Sequence, residues 1–107
     1  MSGQEPKMSS AFQTFMKEAP QHAQAWMNAV RELEEAGALD RKTGELAYLA
    51  VLAVLRMESG VPFHVQMAKR AGATRAEVIS AILAGLPAAG HVVTQVLPAA
   101  LAAYDAE

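Results

Sequence analysis

The sequence predicts an all-α fold of five or six helices. Apolar residues recur at three- and four-residue spacing through most of the chain, as on one face of a helix. No segment alternates apolar and polar residues as a half-buried strand does. Alanine, the strongest helix former, is abundant. Helices that pack on one another therefore account for the whole pattern.

The first 39 residues are expected to hold an arm and two helices. Residues 1–9 are polar and include glycine and proline, which predicts a flexible N-terminal arm. A short helix follows at residues 10–17. Pro20 suits the first turn of a second helix, and Gly37 is its expected left-handed C-cap. The apolar stripe of this second helix comprises Ala23, Trp26, Met27, Val30 and Leu33.

The third helix has the most apolar sequence. Asp40 is its expected N-cap, and the helix should run to about Met57. Residues 46–55 are apolar on every side, which indicates burial all round, yet the run is too short for a bilayer span of about 20 residues. A chain with so few helices cannot surround this one. We therefore expect it to lie both in the core and at an oligomer interface.

The fourth and fifth helices have clear boundary signals. Pro62 opens the fourth helix and Gly72 closes it. The sequence Thr74-Arg75-Ala76-Glu77 is a capping box, in which the threonine and glutamate side chains each accept a hydrogen bond at a helix start. It predicts the start of the fifth helix.

Prolines shape the end of the chain. Pro87 and Gly90 should end or kink the fifth helix. Pro98 lies inside the last apolar stripe and should bend that helix or split it into two pieces. Residues 10–107 are thus predicted to form a single domain.

Composition excludes several classes of function. The net charge is −2 and no Lys/Arg cluster is present, which argues against nucleic acid as a partner. The chain has no cysteine, so disulfides, cysteine–zinc sites and thiol catalysis are excluded. The polar start lacks the apolar region of a signal peptide. We expect no membrane partner and, by default, a cytoplasmic location.

One spaced set of residues points to a family. Glu45 precedes Met57 by twelve positions and His64 by nineteen, and the sequence Gly72-Ala73-Thr74 follows. This arrangement resembles the carboxymuconolactone decarboxylase family, which includes the alkylhydroperoxidase AhpD. In its thiol branch, a glutamate precedes a Cys-x-x-Cys-x-x-x-His motif at the same spacing. Met57 and Gly60 stand at the two cysteine positions, so this chain lacks the Cys-x-x-Cys pair.

The resemblance implies an AhpD-like helical domain with a central helical hairpin. Family members assemble as homo-oligomers, trimers or hexamers. They reduce peroxides through the paired cysteines or, without that pair, decarboxylate γ-carboxymuconolactone. A thioether can neither ionise nor form a reversible disulfide, so Met57 excludes peroxidase chemistry here. What remains is a cofactor-free, decarboxylase-like lyase as the enzymatic alternative.

The decarboxylase branch differs from this chain at two places. Its members carry an acidic residue at the position of Gly60 and a Tyr-x-Gly-x-Pro stretch late in the chain. Here that stretch is Pro87-Ala88-Ala89-Gly90-His91, without the tyrosine and without a proline after the glycine. Lactone decarboxylation is therefore less well supported than membership of the family.

Glu45 and His64 are the candidate catalytic residues by this resemblance. They match the acid/base pair of the thiol branch, and both can transfer protons. The alternatives are a solvated acid near a helix start and a structural histidine. In a simple hairpin Glu45 lies much farther from the turn than His64 does. Their meeting then requires helix crossing, a bridging water or a neighbouring subunit.

Other polar residues are weaker candidates. Glu58, in the turn, and His91, after Gly90, are candidate pocket residues. The histidines show no metal-binding spacing, so we expect no metal, and the resemblance implies no organic cofactor. Two hypotheses follow: the chain binds or decarboxylates a small lactone or carboxylic acid, or it is a non-catalytic helical oligomer that acts as an interaction or ligand-binding module.

Overall fold

The predicted all-α class is confirmed. A computed structural model describes residues 8–106, and within that range it contains helices and no strand. The α-helices are α1 Ser10–Glu18, α2 Pro20–Ala36, α3 Arg41–Leu55, α4 Val61–Arg70, α5 Arg75–Ile82, α6 Leu86–Ala89 and α7 Leu97–Asp105. Short 3₁₀ helices cover Glu58–Gly60, Leu83–Gly85 and Gly90–Val96. All α-helices except the one-turn α6 have at least eight residues, in agreement with five to six helices.

The described residues group into two compact units. Met8–Leu39 is the N-terminal unit, and the residues from Asp40 onward are the main unit. Most of the predicted arm, residues 1–9, lies outside the described residues. Ser9 is the N-cap of α1, since its hydroxyl accepts a hydrogen bond from the N–H of Phe12 at 3.2 Å. The assignment of residues 10–107 to a single domain stays a prediction.

The C-cap of α2 differs from the expectation. Gly37 does end the helix, but its φ of −78° and ψ of 155° are extended rather than left-handed. Its N–H bonds to the carbonyl of Glu34 at 3.2 Å, which tightens the last turn. Because the chain leaves this turn extended, no left-handed residue is required there.

Helix α3 begins as predicted and ends earlier. Asp40 Oδ1 accepts the N–H of Thr43 at 2.8 Å, which is the expected N-cap bond. The helix stops at Leu55 instead of Met57 because Arg56 turns left-handed, with φ of 57°. The N–H of Met57 then reaches back to the carbonyl of Leu52 at 2.9 Å, as in a Schellman C-cap.

Helix α4 pairs with α3 and ends in the predicted way. Gly72 has φ of 100°, and the N–H of Ala73 reaches the carbonyl of Ala68 at 2.9 Å. The capping box of Thr74 and Glu77 is complete, with both reciprocal bonds present. Helix α5 therefore starts where the sequence predicts.

The last third of the chain is split by its prolines. Pro87 lies in the first turn of α6 and Pro98 in the first turn of α7, where a missing N–H is harmless. Gly90, with φ of 77°, separates α6 from the 3₁₀ helix that follows. Pro98 was expected to bend or split the last helix, and the split is observed, between the 3₁₀ helix Gly90–Val96 and α7.

The core of the main unit is built from side chains of α3, α4, α5, α7 and the third 3₁₀ helix. Its fully buried large members are Leu49, Ile82, Val61, Val65, Val78, Val93 and Val96. Their burial removes apolar surface from water, which stabilises this unit. Helix α3 supplies one wall of this core and α4 the next, and these two helices carry the candidate site.

The stretch Arg75–Asp105 is long and apolar enough for a membrane span by length and composition. It is nevertheless broken into α5, α6, α7 and two 3₁₀ helices, and its buried residues pack on α3 and α4. The cytoplasmic location and the absence of a membrane partner stay predictions.

Candidate functional site

The two candidate catalytic residues contact each other directly within one chain. His64 Nδ1 lies 2.9 Å from Glu45 Oε1. Both side chains are largely but not fully covered, with 21% of His64 and 15% of Glu45 exposed. No bridging water or neighbouring subunit is needed to join them.

The turn between α3 and α4 explains why they meet. Met57 bonds back to the carbonyl of Leu52, and Gly60 packs beside the Leu52 side chain. The chain has therefore already returned to the level of Leu52 when α4 begins. From there His64 lies about one turn along α4 and Glu45 about two turns back along α3. Their long side chains close the remaining offset.

With Glu45 ionised, the hydrogen bond assigns the roles of the two imidazole nitrogens. An ionised carboxylate can only accept, so Nδ1 carries the hydrogen that is donated to Glu45. Nε2 is then the nitrogen that does not contact Glu45. It holds a lone pair in the neutral ring and a second N–H in the imidazolium. A carboxylate that orients an imidazole in this way prepares Nε2 to accept or donate a proton.

Two aromatic rings that were not predicted as site residues hold His64 in place. The Tyr48 ring centroid lies 4.2 Å from that of His64 at an angle of 47°, and Phe63 packs edge-on at 5.2 Å. Tyr48 follows Glu45 by three positions and so shares its helix face. That spacing is the signal by which it could have been found.

A groove described in the structure lies elsewhere on the main unit. It has a volume of about 460 Å³ and runs between α3 and α5. Its residues on α3, including Thr43 and Ala50, lie nearly half a turn around the helix from Glu45. The Glu45–His64 pair therefore faces a different surface, next to Tyr48, which is exposed.

The remaining candidate residues lie apart from the pair in the contacts described. Glu58 is exposed in the 3₁₀ turn, and His91 is exposed at the start of the third 3₁₀ helix. Met57 is also exposed, whereas Gly60 is half-buried against Leu52. The roles predicted for Glu58 and His91 stay predictions.

Acidic groups at the helix starts are held ionised by local bonds. The Thr74 backbone N–H, followed by Lys42, lowers the pKa of Glu77, and the Thr43 backbone N–H lowers that of Asp40. Both carboxylates stabilise helix starts, which leaves Glu45 as the carboxylate paired with a histidine. Among residues 8–106, no three His, Asp or Glu side chains converge as metal ligands.

Comparison with known proteins identifies the family. The model of the carboxymuconolactone decarboxylase family matches residues 20–104, most of the chain. The chain belongs to this family, as a member without the Cys-x-x-Cys pair. Searches of curated proteins and of solved structures found no match.

Proposed function

We propose that the chain binds a small carboxylic acid or lactone beside His64 and catalyses its decarboxylation with His64 and Glu45 as the acid/base pair. The 2.9 Å contact between Glu45 Oε1 and His64 Nδ1 carries this proposal. The contact leaves Nε2 of a largely covered histidine as the nitrogen that can meet a ligand. Membership of a family that includes cofactor-free decarboxylases supports the same chemistry.

The reaction needs one proton donor. The bond from the substrate carbon to its carboxylate breaks, CO₂ leaves, and the electron pair stays on the carbon framework. Protonated His64 gives the Nε2 proton to that framework and is reprotonated from water. Glu45 stabilises the imidazolium before transfer and holds the ring in its orientation. Tyr48 and Phe63 restrict rotation of the ring on two sides.

Substitution of His64 tests this proposal. We expect His64→Gln to reduce CO₂ release from an accepted γ-carboxylated lactone or activated acid at least about 100-fold, the range of general acid catalysis. Glu45→Gln should reduce turnover less, because the imidazole remains but loses its charged partner. Screening starts with acids that shift the His64 and Tyr48 NMR signals. Equal turnover in wild-type and His64→Gln protein would remove His64 from the mechanism, and His22→Gln is the control.

A non-catalytic interaction module is the second candidate. It is favoured by apolar side chains that α3 leaves exposed, among them Tyr48, Val51 and Leu55. These three follow one another at three- and four-residue spacing and form one stripe, here called the α3 stripe. A chain that binds no acid at His64 in the screen above would belong to this class.

Either function is proposed to operate in a homo-oligomer, a trimer or hexamer. The α3 stripe supports this assembly, because a second copy packed on it would remove these side chains from water. Tyr48 contacts His64, so the same contact would also cover the open side of the pair. In the oligomer, the Glu45–His64 pair would therefore be enclosed on the side that is open in a single chain.

Charge in the α3 stripe should disrupt this assembly. Val51 is 55% exposed in the single chain, so Val51→Asp should leave the helical content unchanged while it dissociates the oligomer. Light scattering after size-exclusion chromatography measures the mass. Ala102→Asp, an exposed alanine on α7, is the matched control and should retain the wild-type mass. Equal masses for the two variants would exclude the stripe as an interface.

A further inference from the structure

The groove between α3 and α5 has no role in the proposed chemistry. It is open and apolar, and most of its lining residues are small. They are Thr43, Leu46, Ala47, Ala50, Ala76, Glu77, Ser80, Ala81 and Ala84. The Glu77 carboxylate already accepts bonds from Thr74 and Lys42. Two hydroxyl groups are therefore the remaining side-chain polar groups, so the groove suits an apolar helix face better than a polar ligand.

Helix α2 carries an apolar face that is also exposed. Trp26 is 55% exposed and Leu33 is 70% exposed, with Val30 between them on the same face. The polar side of the helix is formed by residues bonded to one another, Gln24 to Asn28 and Arg31 to Asn28. Trp26 and Leu33 are thus more than half exposed among the described residues.

The groove and the α2 face match in size and length. The groove has small residues where α2 has large ones, which is the pairing that lets helix ridges enter a groove. From Thr43 to Ala50 and from Trp26 to Leu33 the separation is seven positions in each case, about 10 Å along a helix. A single helix–helix contact, about two turns long, can therefore cover both the groove and the α2 face.

The charges favour one orientation. The last two turns of α2 contain Glu32, Glu34 and Glu35, and its last turn has no basic residue to offset them. Helices α3 and α5 start side by side, joined by the ion pair of Lys42 and Glu77. The positive ends of two helices, with exposed Arg41, therefore lie at one end of the groove. Asp40 and Glu77 at this end are already bonded to helix-start N–H groups.

We propose that α2 of a second copy of this chain lies in the groove between α3 and α5, antiparallel to α3. The acidic end of α2 then lies against the starts of α3 and α5. This contact joins two different surfaces, so it is heterologous and builds a ring or a filament. It uses a side of α3 next to the α3 stripe, since Ala47 in the groove lies one turn before Val51 in the stripe. It does not depend on the acid/base chemistry of His64.

The single tryptophan of the chain provides a local probe. Trp26 is the only tryptophan, so all tryptophan fluorescence reports the α2 face. In the full-length protein we expect blue-shifted emission and weak acrylamide quenching at high concentration, both lost on dilution. Ala47→Glu or Ser80→Glu, on the two walls of the groove, should raise the concentration at half-dissociation at least about tenfold. Ala102→Glu on α7 is the matched control.

Mixing two variants separates a second copy from any other occupant. One variant, Ala47→Glu, keeps Trp26 but has a blocked groove; the other, Trp26→Asp, is free of tryptophan but has an intact groove. Each alone should show no blue-shifted emission. Together they should show it, since Trp26 of the first copy enters the groove of the second. A Trp26→Asp/Ser80→Glu partner should fail to produce the shift.

Three results would overturn the proposal. The first is Trp26 emission that is fully water-exposed at every concentration. The second is emission that stays blue-shifted on dilution, which would place another occupant or the same chain against Trp26. The third is an unshifted mixture of the two variants, while circular dichroism shows both to be folded. Leu55→Asp in the same assay separates the two interfaces, because Leu55 lies in the α3 stripe beyond Ala50, the last α3 residue of the groove, and should leave the Trp26 emission blue-shifted.

Discussion

Leu49→Ala should lower the free energy of unfolding by about 3 kcal/mol, within the usual range for a buried leucine. Leu49 is fully buried on the inner side of α3, one turn after Glu45. Its removal leaves a cavity where α3 packs on α4 and α5. For a chain of this size the loss corresponds to a fall in melting temperature of roughly 15 °C. Urea denaturation followed by circular dichroism measures the change.

Leu39→Ala provides the matched control for that experiment. The chemical change is identical, but Leu39 is 63% exposed and lies outside the helices. Its substitution should change the unfolding free energy by no more than about 0.5 kcal/mol. A Leu49→Ala loss as small as this would mean that α3 is not anchored through its buried face. The positions of Glu45 and His64 would then need another explanation.

Local sequence signals predicted much of the main unit. Asp40, Thr74 and Glu77 act at helix starts through hydrogen bonds to N–H groups three positions away, so their effect is visible in a short window. Gly72 and Pro98 likewise act through their own backbone geometry. Signals of this kind depend little on tertiary structure, and the structure contains them at the predicted positions.

The end of α3 and the contact between Glu45 and His64 depend on longer-range packing. Arg56 adopts a left-handed conformation that sequence favours for glycine, and so α3 ended earlier than expected. That early end, with the return at Leu52, brings α4 back alongside α3 sooner than a simple hairpin would. Spacing in the sequence identified the pair, whereas its direct contact required the geometry of the turn.

The aromatic contacts of His64 show a second limit of sequence reasoning. Tyr48 belongs to the run 46–55, which the sequence predicts as a helix apolar on every side, and no sequence signal assigns Phe63 to the site. Only the packing of α4 on α3 places Tyr48 over the imidazole. A residue that has both a ring against His64 and an exposed edge belongs to the site and to the α3 stripe at once. Sequence periodicity places such a residue on a helix face, but it does not show that the residue has both roles.

Gly85→Ala should destabilise the chain by about 1–2 kcal/mol through overpacking. A Cβ atom at position 85 would lie 2.8 Å from Val54 Cγ2, closer than two carbon atoms can pack. Val54 is β-branched, so its side chain has few alternative rotamers in a helix. The substitution therefore strains the contact between α3 and the 3₁₀ helix Leu83–Gly85, which no sequence pattern indicates.

The double variant Gly85→Ala/Val54→Ala tests this explanation. With the Val54 methyl groups removed, the added methyl group at position 85 has space. The narrower unfolded ensemble of the alanine variant should then stabilise the chain by about 0.4–1 kcal/mol relative to Val54→Ala alone. The sign of the Gly85→Ala effect thus reverses between the two backgrounds. Denaturation of all four proteins gives the coupling energy directly. An equal loss in both backgrounds would mean that the backbone conformation at Gly85, and not its distance from α3, excludes a side chain.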